Sequence, residues 1–171
     1  SHRYECSKPK GRTEALDLRN PFCRSTKKDW RIFRTTVNPL TLMKEFWNAR
    51  YNEINYAYGK NPNQYFKDQI DLLPPGKILL AAEGEGRNAV YAASLGWDVF
   101  AYDFSEKAYQ KAMALAREKQ VEINYQIASL SDLTFANAFF DVIGLIYVHF
   151  PDSIRTSNHQ KLCSLLKIRG R

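Results

Sequence analysis

The sequence predicts an α/β protein built on a parallel sheet, and the pattern from residue 77 onward carries this prediction. Short apolar runs alternate there with amphipathic helical segments, which is typical of βαβ units. A turn with two glycines, Gly84 and Gly86, follows the first run. The last run, Phe140 to Tyr147, is almost uniformly apolar, as expected of a strand that is buried on both faces. A length of 171 residues, 44% of them apolar and 25% charged, suits a single domain.

Two short helices are predicted before the sheet. The first covers Leu42 to Arg50. The second covers Pro62 to Leu73, because Pro62 suits a first helical turn and apolar residues recur after it at helical spacing. Pro74 to Gly76 then ends this helix.

Turn and capping residues divide the sheet region into four strands and three helices. Gly96 is placed to end the helix after the glycine turn, and Ser105 is a good N-cap for the long helix that follows. The predicted strands are Lys77 to Ala82, Asp98 to Tyr102, Val121 to Ile127 and Phe140 to Tyr147. The predicted helices are Arg87 to Leu95, Ser105 to about Lys119, and Asp152 to Leu166.

Basic charge is concentrated in the first 42 residues. They hold ten Lys or Arg against four acids, whereas residues 43–171 hold fifteen against fourteen, so most of the net charge of +7 lies in the first segment. We predict a poorly ordered extension over residues 1–42, either a solvated tail or a basic arm, followed by one domain over residues 43–171. That domain has almost no net charge, so no nucleic-acid partner is expected.

Other classes of protein are not indicated. No stretch approaches about 18 consecutive apolar residues, and no leader peptide opens the chain, so we expect a soluble, cytoplasmic protein without a membrane partner. The three cysteines form no Cys-x-x-Cys pair and no metal-ligand spacing with the three histidines. Free thiols and no metal are therefore predicted.

The turn from Ala82 to Ala89 is the first candidate site. Its two glycines would let a nucleotide-like ligand approach the backbone, and the following helix offers free N–H groups. The same spacing satisfies the dinucleotide pattern G-x-G-x-x-G/A, and a tight turn that simply needs glycine is a further alternative. Asp103, at the end of the second strand, suits a carboxylate that accepts hydrogen bonds from both ribose hydroxyls, or else a charge at a helix N-terminus.

Two carboxylates decide between the ligands that such a turn can take. Glu83 and Glu85 flank Gly84, so a pyrophosphate at the turn would meet like charge at close range. NAD and ATP are disfavoured on this ground. S-adenosylmethionine has no phosphate and carries two positive groups, so at least one of the carboxylates would attract it.

The residues also resemble a family, the class I S-adenosylmethionine-dependent methyltransferases, and within it the tellurite-resistance and thiopurine methyltransferase-like group. The resemblance runs from about Met43 to Lys167. Besides the glycine turn, the segments that match the family are Phe46 to Tyr51, Tyr58 to Asn63, Leu95 to Ser105 and Phe140 to Ile143.

The resemblance implies a role for each matching position. Gly84 and Gly86 would lie beneath the methionine part of the cofactor, Asp103 would hold the ribose and Phe104 would lie against the adenine. The predicted cofactor-binding residues are Glu83, Gly84, Glu85, Gly86, Asn88, Asp103, Phe104, Ser129 and Leu130. Tyr147 and His149 would stand between the methyl group and its acceptor, as candidate catalytic residues. The candidates for a lid over the substrate are Trp47, Arg50, Tyr51 and Tyr58.

The sequence departs from this family at three places. Leu80 stands where many relatives have an acid, and Ser129 stands where an aspartate is common. Relatives also continue past Lys167 into three further strands. We therefore expect a Rossmann-like sheet in the order 3-2-1-4, with helices on both faces, the later strands missing, and a fourth strand whose exposed edge favours self-association.

The prediction for function is an S-adenosylmethionine-dependent methyltransferase with a small-molecule acceptor. Methyl transfer is an in-line displacement that needs alignment more than a base, although His149 or Tyr147 would take a proton from an oxygen or nitrogen acceptor. Two alternatives stay open, an NAD-dependent oxidoreductase and a non-catalytic cofactor-binding fragment. Without the later strands, a weakened or inactive enzyme is expected unless another chain covers the exposed edge of the fourth strand.

Overall fold

The computed structural model describes residues 39–171, so most of the predicted extension over residues 1–42 lies outside the described residues. Helix α1 spans Pro39–Tyr51 and thus begins four residues before the predicted domain boundary. Proline suits the first turn of a helix because that turn needs no N–H from it. No helix among the described residues is long and apolar enough to cross a membrane.

The sheet has four parallel strands in the order β3-β2-β1-β4, which confirms the predicted order. In the register, Leu79 lies opposite Phe100 on one side and Ile143 on the other. The strands are β1 Lys77–Ala81, β2 Asp98–Asp103, β3 Asn124–Ile127 and β4 Val142–Gly144.

Four more α-helices follow among residues 52–171, and two predicted caps are confirmed. The Ser105 hydroxyl accepts a hydrogen bond from the Ala108 N–H at 3.2 Å, and Gly96 takes a left-handed conformation directly after the end of its helix. The helices are α2 Gln64–Ile70, α3 Arg87–Ser94, α4 Glu106–Lys119 and α5 Asp152–Leu165, and a 3₁₀ turn covers Leu130–Asp132.

The helices cover both faces of the sheet. Ile78 and Leu80 of β1 point into a core with α2, α3 and α4, whereas Leu79 and Ala81 point into a second core that includes Leu162 of α5. Successive side chains of a strand point to opposite faces, so the apolar run of β1 supplies both cores.

Two predicted strands are shorter in the structure. Strand β4 spans three residues rather than Phe140 to Tyr147 and is only half-buried. The chain leaves the sheet after Gly144, and Tyr147 lies in a left-handed conformation at φ 56 that a strand cannot contain. Strand β3 begins at Asn124, since the preceding Val121 N–H still bonds a carbonyl of α4.

The second helix is also shorter than predicted. The Asn63 side chain accepts a hydrogen bond from the Phe66 N–H and caps α2, which therefore begins after Pro62 rather than at it.

The outer edge of β4 is partly paired. Lys167 N–H donates to the Phe140 carbonyl at 2.9 Å, and Arg171 exchanges hydrogen bonds with Asp141 and Ile143 at 3.0 and 2.8 Å. The predicted exposed edge is therefore wrong for residues 140–143, because residues 166–171 run along it.

Candidate functional site

The glycine turn lies at the carboxyl ends of the strands, between β1 and α3. The neighbours of β1 are β2 on one side and β4 on the other, so the chain leaves β1 at the point where the strand order reverses. Open α/β sheets bind ligands at such a point. The turn has three left-handed residues, Ala82 at φ 48, Gly84 at φ 68 and Gly86 at φ 82.

Gly84 is held from several sides. Its N–H donates to Asp103 Oδ2 at 3.1 Å, and its carbonyl accepts from the Tyr125 hydroxyl at 2.7 Å. A Cβ at this position would lie 2.8 Å from the Tyr51 hydroxyl oxygen, so Tyr51 lies directly against the turn. Only glycine fits between these groups at this backbone angle.

Gly86 has a different neighbour. A Cβ here would lie 2.6 Å from Ala112 Cβ and 2.9 Å from Ala112 Cα, on helix α4. The second glycine therefore allows α3 and α4 to approach closely, a requirement that the ligand-based interpretation of the motif did not include.

Asp103 ends β2 beside Gly84, as predicted. It is only 4% exposed, and Oδ1 accepts the Ser105 N–H at 2.9 Å while Oδ2 accepts the Gly84 N–H. Burial raises its pKa, and the backbone donors act in the opposite direction. Each oxygen keeps a further lone pair for a ligand hydroxyl.

Glu83 occupies the N-terminus of α3. Its Oε1 accepts the Asn88 and Ala89 N–H groups at 2.8 and 2.9 Å, and its Oε2 accepts from the Asn88 side-chain amide at 3.3 Å. Burial raises the pKa of this carboxyl to about 7. The N–H groups that cradle a pyrophosphate in dinucleotide-binding folds are thus taken by a carboxylate of the protein.

Glu85 is paired within the protein as well. Its carboxylate receives Lys111 Nζ at 2.6 Å and the Ala57 N–H at 2.6 Å, and the residue is 5% exposed. At least one of these two carboxylates was expected to attract a cation, and both are bound to the protein's own donors.

The predicted adenine edge lies after β3. Ser129 caps the 3₁₀ turn, since its N–H donates to Asp132 Oδ2 at 3.0 Å and its hydroxyl donates to the same oxygen at 2.7 Å. Leu130 is buried. From α5, Lys161 Nζ donates to the carbonyls of Leu130 and Leu133, both at 2.8 Å. Sequence reasoning missed this lysine.

The lid candidates separate into two groups. Tyr51 is 7% exposed, lies against Gly84 and stacks on Trp47 with ring centres 5.3 Å apart, so α1 brings Tyr51 to the glycine turn. Burial and the nearby Asp103 carboxylate raise the pKa of Tyr51. Tyr58 is half-exposed and faces the Arg87 guanidinium, whereas Arg50 is exposed.

Three further predicted residues are Phe104, Tyr147 and His149. Phe104, between Asp103 and Ser105, is half-buried. The candidate catalytic residues lie in the loop after β4, where Tyr147 is 75% exposed and His149 is exposed. The hydrogen bonds and ring contacts found among the described residues join neither of these two to the glycine turn. Within residues 39–171, no group of three or more His, Cys, Asp or Glu is arranged to hold a metal ion.

A family model of a methyltransferase domain matches residues 78–170, which is more than half of the chain. The chain belongs to this methyltransferase family. A curated relative, an uncharacterized methyltransferase of Schizosaccharomyces pombe, is 33% identical over 95 residues. That match covers 53% of this chain and 64% of the relative, so the chain spans less than two thirds of the relative's length.

Solved structures share the fold of this methyltransferase domain. Magnesium protoporphyrin IX methyltransferase of Synechocystis, solved with bound S-adenosylmethionine, is similar with a TM-score of 0.58 and 19% identity over 77% of this chain and 74% of that one. TehB of Haemophilus influenzae has a TM-score of 0.57 and 18% identity over 74% of this chain and 43% of that one. The parallel sheet with its helices is thus a Rossmann-like methyltransferase fold.

Proposed function

We propose that the chain is an S-adenosylmethionine-dependent methyltransferase that acts on a small-molecule acceptor. The observation that carries the proposal is the position of Glu83 at the N-terminus of α3. A pyrophosphate would have to displace this carboxyl group from the Asn88 and Ala89 N–H groups that it occupies. A ligand without phosphates, and with positive charge, avoids that cost.

The residues around the turn fit such a cofactor. Asp103 has lone pairs for ribose hydroxyls, and Gly84 has no side chain beside it. Phe104 offers a half-buried ring, and Ser129 and Leu130 line the loop after β3 that would receive the adenine edge. When bound, S-adenosylmethionine supplies a methyl group on a positively charged sulfur.

Tyr51 suits the methionine end of this cleft. Its hydroxyl lies over Gly84, and among the described residues it has no hydrogen-bond partner. Burial and the carboxylates around it raise its pKa, so the phenol stays protonated and offers one donor and one acceptor to a ligand. We therefore assign Tyr51 to the cofactor rather than to the acceptor.

The chain's own residues would accelerate the reaction mainly by alignment and exclusion of water. Tyr51 lies against Gly84 and Trp47 stacks on Tyr51, so Tyr51 would keep water from this side of the turn. Tyr147 and His149 belong to the loop after β4, from which either would remove a proton from a hydroxyl or amine acceptor. A thiolate acceptor would need no base.

A binding experiment tests the cofactor. We expect calorimetry at low ionic strength to detect S-adenosylhomocysteine binding and no NAD binding. Asp103→Asn should weaken S-adenosylhomocysteine binding by about tenfold or more, since hydrogen bonds to a charged group are lost. Asp98→Asn is the matched control because Asp98 lies at the other end of the same strand and forms a half-exposed ion pair with Lys77, away from the glycine turn. NAD binding without S-adenosylhomocysteine binding would show that the proposal is wrong.

A second experiment tests the acceptor class. The domain's near-zero charge over residues 43–171 favours a small molecule over a nucleic acid. A cell extract is separated into a filtrate of small molecules, a protein fraction and a nucleic-acid fraction, and each is incubated with the enzyme and methyl-labelled S-adenosylmethionine. Label is expected in the filtrate. Label confined to protein or nucleic acid would refute the small-molecule assignment while leaving the cofactor assignment standing.

A further inference from the structure

The segment after α1, residues 52–63, lies against the glycine turn and is attached to it by polar contacts. The Ala57 N–H donates to Glu85, and the Asn63 N–H donates to the Asn88 side-chain oxygen at 2.8 Å. Arg87 Nη1 donates to the Tyr58 carbonyl at 2.9 Å. Three polar residues of the turn are thus used to hold this segment.

Lys111 of α4 is the centre of these contacts. Its ammonium donates to Glu85 Oε1 at 2.6 Å and to the Asn55 carbonyl at 2.7 Å, and it lies 5.2 Å from the centre of the Tyr56 ring. The Tyr56 hydroxyl in turn donates to the Lys111 carbonyl at 3.0 Å. One lysine therefore connects α4, the glycine turn and residues 55–57.

The ion pair is nearly excluded from solvent. The side chains of Lys111 and Glu85 are 16% and 4% exposed, in contrast to 45% and 46% for Lys60 and Glu118, an ion pair that joins residues 52–63 to α4. Loss of one partner of a buried pair leaves an uncompensated charge, whereas an exposed pair contributes little.

The segment begins directly after Tyr51. Asn55 and Ala57 are four and six residues beyond it, so contacts that fix them also fix the end of α1. Tyr51 lies against Gly84, and Glu85 is the next residue of the turn. The Lys111–Glu85 pair therefore fixes the distance between the Tyr51 phenol and the glycine turn. Lys111 holds the chain just after Tyr51, and Glu85 belongs to the turn itself.

We propose that Glu85 and Lys111 are positioning residues, which hold residues 55–57 against the glycine turn and thereby keep Tyr51 in place over the cofactor. This rests on the proposed function. The motif glutamate thus contributes to cofactor affinity by attaching the segment and not by direct contact with the cofactor.

The test compares Lys111→Met, Lys111→Arg and Lys60→Met in the full chain. Calorimetry measures the dissociation constant for S-adenosylhomocysteine, and hydrogen exchange measures protection of residues 55–58. Lys111→Met should raise the dissociation constant by about tenfold and speed exchange at residues 55–58. Lys111→Arg, which can still reach a carboxylate and a carbonyl, should restore both to within about threefold. Lys60→Met should leave both unchanged.

The outcomes separate the two proposals. Faster exchange at residues 55–58 with unchanged affinity would overturn the positioning role, and so would weaker affinity without faster exchange. Absence of S-adenosylhomocysteine binding by the unmodified chain would refute the proposed function, and the further inference with it. If Lys111→Met fails to fold, the double variant Glu85→Gln, Lys111→Met removes both charges, and the same two measurements decide.

Discussion

Replacing Gly86 with alanine separates the packing role of the glycine turn from its ligand role. The new Cβ would lie 2.6 Å from Ala112 Cβ, well inside van der Waals contact, and the backbone angle of 82° is left-handed. The left-handed conformation costs an alanine about 1–2 kcal/mol, and an overpacked contact adds about 1–3 kcal/mol. We therefore expect Gly86→Ala to lower the free energy of unfolding by about 2–5 kcal/mol.

Gly59→Ala is the matched control. Gly59 has a similar backbone angle of 72°, but a Cβ there would meet nothing within 4 Å. Gly59→Ala should therefore lower the free energy of unfolding only by the cost of the left-handed conformation, about 1–2 kcal/mol. Urea unfolding followed by circular dichroism gives both free energies, provided that the slope of the unfolding free energy against urea concentration is the same in the variants and the unmodified protein.

A double variant tests whether contact with Ala112 causes the additional loss of stability in Gly86→Ala. Ala112→Gly removes the nearer of the two contacting atoms, so the cost of Gly86→Ala should be smaller in that background than alone. If Gly86→Ala is no more harmful than Gly59→Ala, or if Ala112→Gly leaves its cost unchanged, close packing of α3 on α4 is not the reason for the second glycine.

Three other predictions concern the same site. Burial raises the pKa of Glu83 from 4.5 to about 7, so the folded protein retains a proton that the unfolded chain loses, and the free energy of unfolding should fall as pH rises from about 4.5 to about 7. Glu83→Gln should remove this fall in urea titrations at several pH values. Lys161→Met removes the donor to three carbonyls and should cost about 1–3 kcal/mol in urea unfolding, whereas Lys60→Met should cost at most about 1 kcal/mol. Gly84→Ala should displace Tyr51, whose hydroxyl lies 2.8 Å from the new Cβ, and weaken S-adenosylhomocysteine binding by about tenfold in calorimetry.

Each of these has a contrary result. Parallel pH curves for the unmodified protein and Glu83→Gln would mean that Glu83 does not titrate in this range. Equal costs for the two lysine variants would show that the carbonyl contacts of Lys161 contribute no more than a surface pair. Full cofactor affinity in Gly84→Ala would place the ligand away from Tyr51.

The parts of the fold that the sequence predicts best are those with local signals. Strands β1 and β2 are apolar in their central residues, and Ser105 and Gly96 cap their helices through contacts within a few residues. The predicted length of strand β4 was too great because an apolar run does not show where the chain leaves the sheet. That point depends on the neighbouring strand, with Gly144 packed against Leu80.

The site was predicted in outline but not in its electrostatics. The structure brings Gly84 and Asp103 together, as the pairing of β1 with β2 requires, and α1 adds Tyr51 against Gly84. Lys111, the partner of Glu85, lies 26 residues away from it in sequence. Lys161, which donates to the Leu130 carbonyl, lies 31 residues away from Leu130. Contacts between residues so far apart in sequence produce almost no pattern in the local sequence. For Lys111 there was one signal, its place beside the buried stripe formed by Ala108, Ala112 and Leu115 in α4.

The attachment of Gly84 on opposite sides has a thermodynamic consequence. Tyr125 bonds its carbonyl, Asp103 bonds its amide, and Tyr51 lies against its open side. The backbone freedom of this glycine, the largest of any residue, is therefore lost when the chain folds rather than when a ligand arrives. Binding energy that a loose loop would use for its own ordering remains available as affinity.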